Sequence, residues 1–559
     1  MAAHLLPAKP IHYLTGFLTN DDAMLDAEDK AVLIVGAGPT GLTMANLLAR
    51  MEVPFMLIDK APHPSRESKA FGVHARSLEI FHQLGIAHKA VEAGNVDNTV
   101  HMLSREKEIA AIRVNKILPG KTMYPYFLVL PQNKLEELLV DSLHKYDEKI
   151  YWQHRLTGIR EEQDYLLATI EGVTGEVQEL KFSYLLGCDG ASSLVREQGG
   201  FKYKGKTFSP TFYLADAELD WRLPHGDIYF TIAPGHLSII FSFREKNKYR
   251  IFNFLNTLSQ KPEENISGDQ FQEILDTNPY LEKQLKQPDW LSVYKIHARI
   301  TDQFQKGNIF LAGDAAHVHS PVGGQGMNTG IQDAYNLAWK LKLVLRGLVS
   351  PALLASYHEE RYTIARTLHN TTDRYFQLMI SRGRASDFFR LNVFPRLFQL
   401  VTKIGWIRNK VFMRVSQLAI HYKSGSLSKA SPHKQFFSNG PKAGERAPYV
   451  SVWHAGRATV THALLRCTHF TLFVVANAGE GEPACTPAEV LKADTGFPLD
   501  VFKLHARENK LFMDAYGVKS RAMFLIRPDG HIAYKSSRIE FSEIRKYLEQ
   551  LSLDTFQIK

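Results

Sequence analysis

Three glycines at 36, 38 and 41, in AVLIVGAGPTG, have the spacing of a phosphate-binding turn. The first permits a tight turn, the second lets a pyrophosphate approach the backbone, and the third lets a helix pack closely on a strand. Asp59 follows 23 residues after Gly36, where a carboxylate can bind a ribose hydroxyl pair. The elements that must hold these residues are legible as well. Residues 31–35 and 55–58 are apolar runs of buried-strand length, and Leu42, Ala45, Leu48 and Ala49 recur between them at helical spacing. Strand, helix, strand and terminal acid agree, so the segment reads as a dinucleotide-binding unit. The motif alone does not separate FAD from NAD.

Two later segments narrow the choice. KFSYLLGCDGASSLVRE (181–197) is an apolar strand ending in Asp189-Gly190, followed by small polar residues and Arg196. NIFLAGDAAHVHSPVGGQGMNTGIQDAYNLAWKLKLVL (308–345) is a strand ending in Gly313-Asp314, then a turn from Pro321 to Gly326. A helix is predicted from near Asn328, because Ile331, Ala334, Tyr335, Ala338, Leu341 and Leu345 form one apolar face. An acid at a strand end can hold a polyol chain. A glycine-rich turn entering a helix sets backbone N–H groups and a partial positive charge against an acceptor. Reduced flavin is anionic around N1 and C2=O, so such a helix end suits an isoalloxazine ring.

In order and spacing, GAGPTG, LLGCDGASS and LAGDAAHVHSPVGGQGMN resemble the class A (single-component) flavin-dependent aromatic monooxygenases, over roughly residues 31–375. Phenol hydroxylase, para-hydroxybenzoate hydroxylase and the polyketide hydroxylases belong to that family. The resemblance implies an α/β fold: a Rossmann-like FAD-binding domain, an antiparallel-sheet substrate domain, a helical connector and a C-terminal thioredoxin-like domain. It implies that Gly36, Gly38, Gly41 and Asp59 hold the ADP half of FAD. Gln132, in LPQNKLEELL, and Arg76, in FGVHARSLEIF, match residues near the same cofactor. Asp189 and Arg196 match a motif linked to both FAD and NAD(P)H. Gly313 and Asp314 would meet the ribityl chain, and Gly324, Gln325, Gly326, Met327 and Asn328 would line the ring. Pro321 would sit near its reactive C4a edge. The implied chemistry is reduction of FAD by NAD(P)H, reaction with O2 to a C4a-hydroperoxide, and attack on its distal oxygen by an electron-rich ring.

What the chain lacks is also informative. No second GxGxxG follows a strand, so NAD(P)H has no Rossmann domain of its own, unlike the two-dinucleotide reductases. The six tryptophans include no WxW pair, which disfavours tryptophan halogenases. His317 and His319 lack a nearby carboxylate or cysteine to complete a metal set, so packing or hydrogen bonding is expected of both. Two other readings share the scaffold: an FAD-dependent reductase or dehydrogenase, and a non-catalytic protein that sequesters a flavin intermediate.

The organisation expected is an N-terminal extension (1–30), an FAD-binding domain in two parts (31–199 and 297–375), a substrate sheet (200–296), a connector (376–440) and a C-terminal unit (441–559). In the substrate region short runs alternate apolar and polar, as half-covered antiparallel strands do. Tyr213, Tyr229, Phe241, Phe243 and Phe252 are candidates to line a pocket there. Phenol hydroxylase-like members carry an acid just before the loop glycine, where this chain has Phe71. No catalytic base is named. Cys485 stands where thioredoxins have two cysteines, which excludes dithiol exchange.

The three cysteines form no CxxC, and no apolar window spans a membrane, consistent with a cytoplasmic setting. The net charge of +9 is local: residues 374–434 carry twelve Lys or Arg and one acid, leaving the rest of the chain at −2. That distribution argues against nucleic-acid binding. A solvated helical face, its aromatics packed inward, is the first reading of the connector, with membrane-surface contact as the lesser one. The expected partners are a small aromatic substrate, O2 and NAD(P)H, with a homodimer possible for the C-terminal unit.

Overall fold

The apolar run Val32–Val35 becomes the middle of a six-stranded sheet. Its order is Gln305–Lys306, Ile309–Leu311, Tyr184–Gly187, Val32–Val35, Phe55–Asp59, Ile150–Trp152. Val32 lies opposite Tyr184 on one side and Phe55 on the other, both neighbours running parallel. Parallel strands are covered on both faces, which is why VLIV and FMLI read as unbroken apolar runs. The structure is a computed structural model. It describes residues 31–552 except 66–69, 97–98, 105–106, 115–116, 118–119, 222, 234–235, 256–265, 277–284, 321–322, 381–382, 432–436, 438–439 and 478–495. The N-terminal extension, Pro321 and Cys485 lie outside the described residues.

Five helices bear on this sheet: α1 (Pro39–Arg50), α2 (Ala75–Leu84), α3 (Gln132–Leu143), α4 (Gly326–Leu345) and α5 (Ala355–Ile380). α1 packs against both α3 and α4. α4 is buried along nearly its whole length, so it runs through the molecule rather than over it.

An eight-stranded sheet stands beside the first, ordered His317–Val318, Leu285–Thr301, Tyr203–Leu219, Lys248–Leu255, His236–Ser242, Ile228–Ala233, Thr99–Ser104, Lys107–Arg113. It reaches beyond 200–296 by recruiting the hairpin 99–113 and the pair 317–318. One face is covered by the helix Gly268–Asp276, whose Phe271 and Leu275 pack on Tyr229, Tyr249 and Ile251. The other face turns toward α5 and the parallel-sheet unit, with Phe212, Phe252 and Phe254 packed on Phe376.

The connector helices α6 (Phe394–Lys403) and α7 (Gly405–Val415) lie on the edge strand Lys107–Arg113 through Phe398, Phe412 and Ile112. The C-terminal sheet is ordered Lys429–Ala430, Ile532–Ser536, Ala522–Ile526, Phe470–Ala476, Leu499–His505. Its last two strands are parallel, and Ala522–Ile526 is antiparallel to both its neighbours. One apolar core joins this sheet to α4: Trp339 meets Phe470 edge-on at 5.7 Å.

Candidate active site

The loop 36–41 shows why three glycines are spaced as they are. Gly36 has φ +105°, and a Cβ there would collide with the backbone of Cys188 and Asp189. A Cβ on Gly41 would overlap the Gly36 carbonyl. Around Gly38, by contrast, nothing lies within 4 Å of a built Cβ. Two glycines are closed against protein and the middle one is open to a ligand. Gly38 caps α1 without any side-chain hydrogen bond, so the first-turn N–H groups face outward uncapped. Asp59 ties this loop to its strand: Oδ2 accepts from the Ala37 N–H at 2.6 Å and Oδ1 from the Ala61 N–H at 2.8 Å.

Asp189 sits directly beside the turn. Its Oδ2 caps the short helix Leu194–Gln198, accepting from the N–H groups of Leu194 (2.8 Å) and Val195 (3.2 Å). Its Oδ1 is buried with no hydrogen-bond partner. Burial pushes this carboxyl up from its ordinary value. This oxygen keeps acceptor capacity beside an uncapped helix end.

Gly313 has φ +60° and packs on Thr40 of α1, which brings the second motif against the first. Its N–H donates to Asp333 Oδ2 at 3.1 Å. Asp314, next in line, is exposed. Gly323 and Gly324 both have positive φ (+80° and +62°) as the chain turns into α4, whose N-terminus also has no side-chain cap. Nothing lies within 4 Å of a Cβ built on Gly324 or Gly326, so this backbone too faces open space. Glycine cradles, an unspent carboxylate oxygen and two uncapped helix ends fit a dinucleotide carrying an anionic ring.

The Asn328 side chain is used within the protein. It is fully buried, and Oδ1 accepts from the His74 N–H (2.9 Å) and Ser77 Oγ (2.7 Å). Its Nδ2 donates to the carbonyls of Gly72 and Gly324, both at 2.8 Å. It rivets the glycine turn to the start of α2. His74 Nε2–H donates to the Gly323 carbonyl at 2.8 Å, and burial pushes this imidazole down to about 4. His74 is therefore a neutral positioning group at physiological pH.

Gln132 starts α3, accepting from the Ala70 N–H at 3.1 Å and donating to Glu136 at 2.8 Å. Glu136 also accepts from the Ser65 N–H and is pushed up by burial, with Asp59 adding to the shift. These contacts set Gln132 and Glu136 beside the acid of the cradle.

Arg76 faces the C-terminal unit. Its guanidinium donates to Glu79 at 3.0 Å and to the Asp529 carbonyl at 2.5 Å, and it is buried. These bonds place the guanidinium in the seam with the C-terminal unit. Arg196 is similarly committed to the carbonyls of Ala315 (3.0 Å) and Ala191 (2.8 Å). His317 donates to Asp333 at 2.6 Å, while both ring nitrogens of His319 are buried without partners. No three His, Cys, Asp or Glu residues come together around a metal position among the described residues.

The pocket candidates separate by face. Phe241, Phe243 and Phe252 lie on the face toward the parallel-sheet unit, whereas Tyr213 and Tyr229 lie on the other face with the helix Gly268–Asp276. Tyr229 is spent on the Pro224 carbonyl at 2.7 Å. Phe71 joins the inner face, 4.1 Å between ring centroids from Phe241. The buried guanidinium of Arg250 lies 5.4 Å from the Phe71 ring and pairs with Asp216 at 2.6 Å.

Several positioning residues escaped the sequence reading. Asp333 accepts from Gly313, His317 and Arg361, and the last two hold its carboxyl down against the effect of burial. Glu79 accepts from Arg76, Arg446 and Thr122. Glu360 accepts from Arg527, Lys340 and Asn336. Their neighbours at helical spacing are themselves polar (Asn336 and Lys340 with Asp333, Arg76 and His82 with Glu79, Ser356 and Thr363 with Glu360), so periodicity gives no signal for them.

The chain matches the FAD binding domain family over residues 29–372 and the aromatic-ring hydroxylase C-terminal family over 440–552. It is 32% identical over 462 residues to pentachlorophenol 4-monooxygenase of Sphingobium chlorophenolicum, covering 82% of this chain and 81% of the relative. It is 29% identical over 543 residues to 6-methylpretetramide 4-monooxygenase of Streptomyces rimosus, covering 94% of each. The flavin-dependent monooxygenase PieE, solved with FAD and substrate, shares the fold at a TM-score of 0.77 and 22% identity, over 93% of this chain and 98% of that one. The chain belongs to the FAD-dependent aromatic-ring monooxygenases.

Proposed function

We propose that the protein hydroxylates a phenolic or polyketide-like ring, with NAD(P)H and O2 as co-substrates. The observation that carries the reading is the convergence of the cradle 36–41, the unspent oxygen of Asp189 and the uncapped ends of α1 and α4 beside the aromatic inner face. Bound there, FAD supplies the electron transfer and oxygen activation. In this reading Gly38 and the α1 N–H groups take the pyrophosphate, Asp59 and Gln132 the ribose side, and Asp189 and Asp314 the polyol. The N–H groups of 326–328 meet the anionic edge of the ring. Phe241, Phe243, Phe252 and Phe71 exclude water and hold the substrate flat, favouring a neutral, apolar ring over an acid-assisted small phenol.

The C-terminal strand order, in which the two parallel strands follow two antiparallel ones, supports a thioredoxin-like unit. A cytoplasmic setting and a homodimer complete the proposal. No described helix is long and apolar enough to cross a membrane. The test is NAD(P)H oxidation with a panel of phenols and polyketides under labelled O2. One labelled oxygen in the product, with substrate-stimulated oxidation, is expected. Oxidation without oxygen transfer would assign a reductase or dehydrogenase, and flavin never reduced by NAD(P)H would assign a sequestering protein.

A further inference from the structure

The connector carries a surface that the oxygenase reading does not use. Among the described residues eleven large apolar side chains are exposed, and six of them fall between 378 and 411: Leu378, Phe388, Leu397, Leu400, Trp406 and Val411. Trp406 is 69% exposed and Phe388 61%. Phe398 and Phe412 of the connector pack inward; Trp406 and Phe388 do not.

The exposed apolar groups alternate with exposed cations. On α6, Arg396, Leu397, Leu400 and Lys403 share one face at helical spacing, and on α7 Trp406, Lys410, Val411 and Arg414 do the same. The single acid of the connector, Asp387, is already paired with Arg390. Beside the two helices a groove of about 460 Å³ runs along the strand Lys107–Arg113. Arg113, Lys403 and Arg408 line it above Ile109, Ile112 and Ile117. The Arg408 Nε is buried there without a partner.

Indole and phenyl rings left in water among unpaired positive charge are unfavourable unless something covers both. A bilayer interface does: the rings enter the headgroup–acyl boundary while Lys and Arg stems lie along it and their charges meet phosphates. A second copy placed face to face would set this basic patch against itself. The rest of the chain, at −2 overall, supplies little complementary charge.

We propose that α6, α7 and the segment around Phe388 form a docking face for the surface of an anionic phospholipid bilayer. Phe388, Leu397, Leu400 and Trp406 enter the interface, and Arg396, Lys403, Lys410 and Arg414 meet the headgroups. Because these helices ride on the edge of the eight-stranded sheet, docking brings that edge to the membrane, where apolar aromatic compounds partition.

The test is flotation of the full-length FAD-loaded protein with phosphatidylcholine vesicles, with and without phosphatidylserine, at low and high salt. Binding is expected only with phosphatidylserine and should weaken as salt rises. The combined variant R396E/K403E/K410E/R414E should bind roughly a hundredfold more weakly, and F388A/W406A roughly tenfold. Both should retain FAD absorbance and wild-type NAD(P)H oxidation, which establishes that they fold. Absence of binding to phosphatidylserine vesicles at low salt overturns the proposal. So does equal binding to neutral vesicles, or binding untouched by charge reversal. Loss of self-association in F388A/W406A without any vesicle binding would give the face to a second copy instead.

Discussion

The cradle and the seam with the C-terminal unit are built from opposite materials. The cradle is backbone: glycines, uncapped N–H groups and one carboxylate oxygen with no partner. The seam is side chain, with Arg76, Glu79 and Arg446 in one cluster and Lys340, Glu360, Arg527 and Asp529 in another, all buried and paired. A surface that must accept a ligand keeps hydrogen-bonding capacity unspent, whereas a permanent seam uses it up. The contrast can be broken or sharpened by substitution.

The largest effect is expected from Gly41→Ala, because its methyl would overlap the Gly36 carbonyl and force the whole turn open. The purified variant should carry no flavin; wild-type absorbance near the flavin bands would refute a backbone-built cradle. Next comes Glu79→Gln. Burial raises the Glu79 carboxyl, but Arg446, His462 and Arg76 outweigh it and hold it below its ordinary value. Its folded pKa lies under the unfolded one, so its contribution is full above the unfolded pKa of about 4.3 and fades as pH falls below it. Stranding two buried guanidiniums should cost about 3–5 kcal/mol in denaturant unfolding at neutral pH. That loss should shrink in acid, and a loss independent of pH would mean that packing rather than charge holds the seam.

Asp189→Asn should leave that unfolding unchanged, since an amide oxygen can still cap the short helix. FAD affinity should fall about tenfold, or about 1.4 kcal/mol, measured by flavin fluorescence. Unchanged affinity would remove Asp189 from the site. Gly324→Ala should have the smallest effect. The space around it is open but φ is +62°, so the change should cost about 1 kcal/mol from backbone strain alone. A much larger cost would show that the turn tolerates no residue but glycine for another reason.

The parts of the fold legible in the sequence are those fixed by local constraint. The glycine turn, the parallel strands and the amphipathic start of α4 each follow from spacing within about thirty residues. For Arg76 the pairing with Glu79 three residues on is legible, but its bond to the Asp529 carbonyl, 453 residues away, leaves no local trace. Glu360 sits in a polar stretch of α5, yet it meets Arg527, just past the strand Ala522–Ile526, at 2.5 Å. Tyr229 and Phe252 both looked like pocket aromatics; strand register puts them on opposite faces, and a one-residue difference in pairing would exchange them. The side-chain role of Asn328 leaves no signal in the sequence, because the amide's four partners come from separate segments.

Consecutive residues of α2 look in two directions. Ser77 holds the glycine turn through Asn328, and Arg76 holds the C-terminal unit through Asp529. Replacement of the C-terminal unit of this chain by another is thereby constrained. A grafted unit must bring a guanidinium at position 446 and the Arg527–Gly530 turn, or α2 loses its anchor on one side while the flavin turn hangs from the other. The two pieces occupy separate layers, yet through one turn of α2 each is a load on the other.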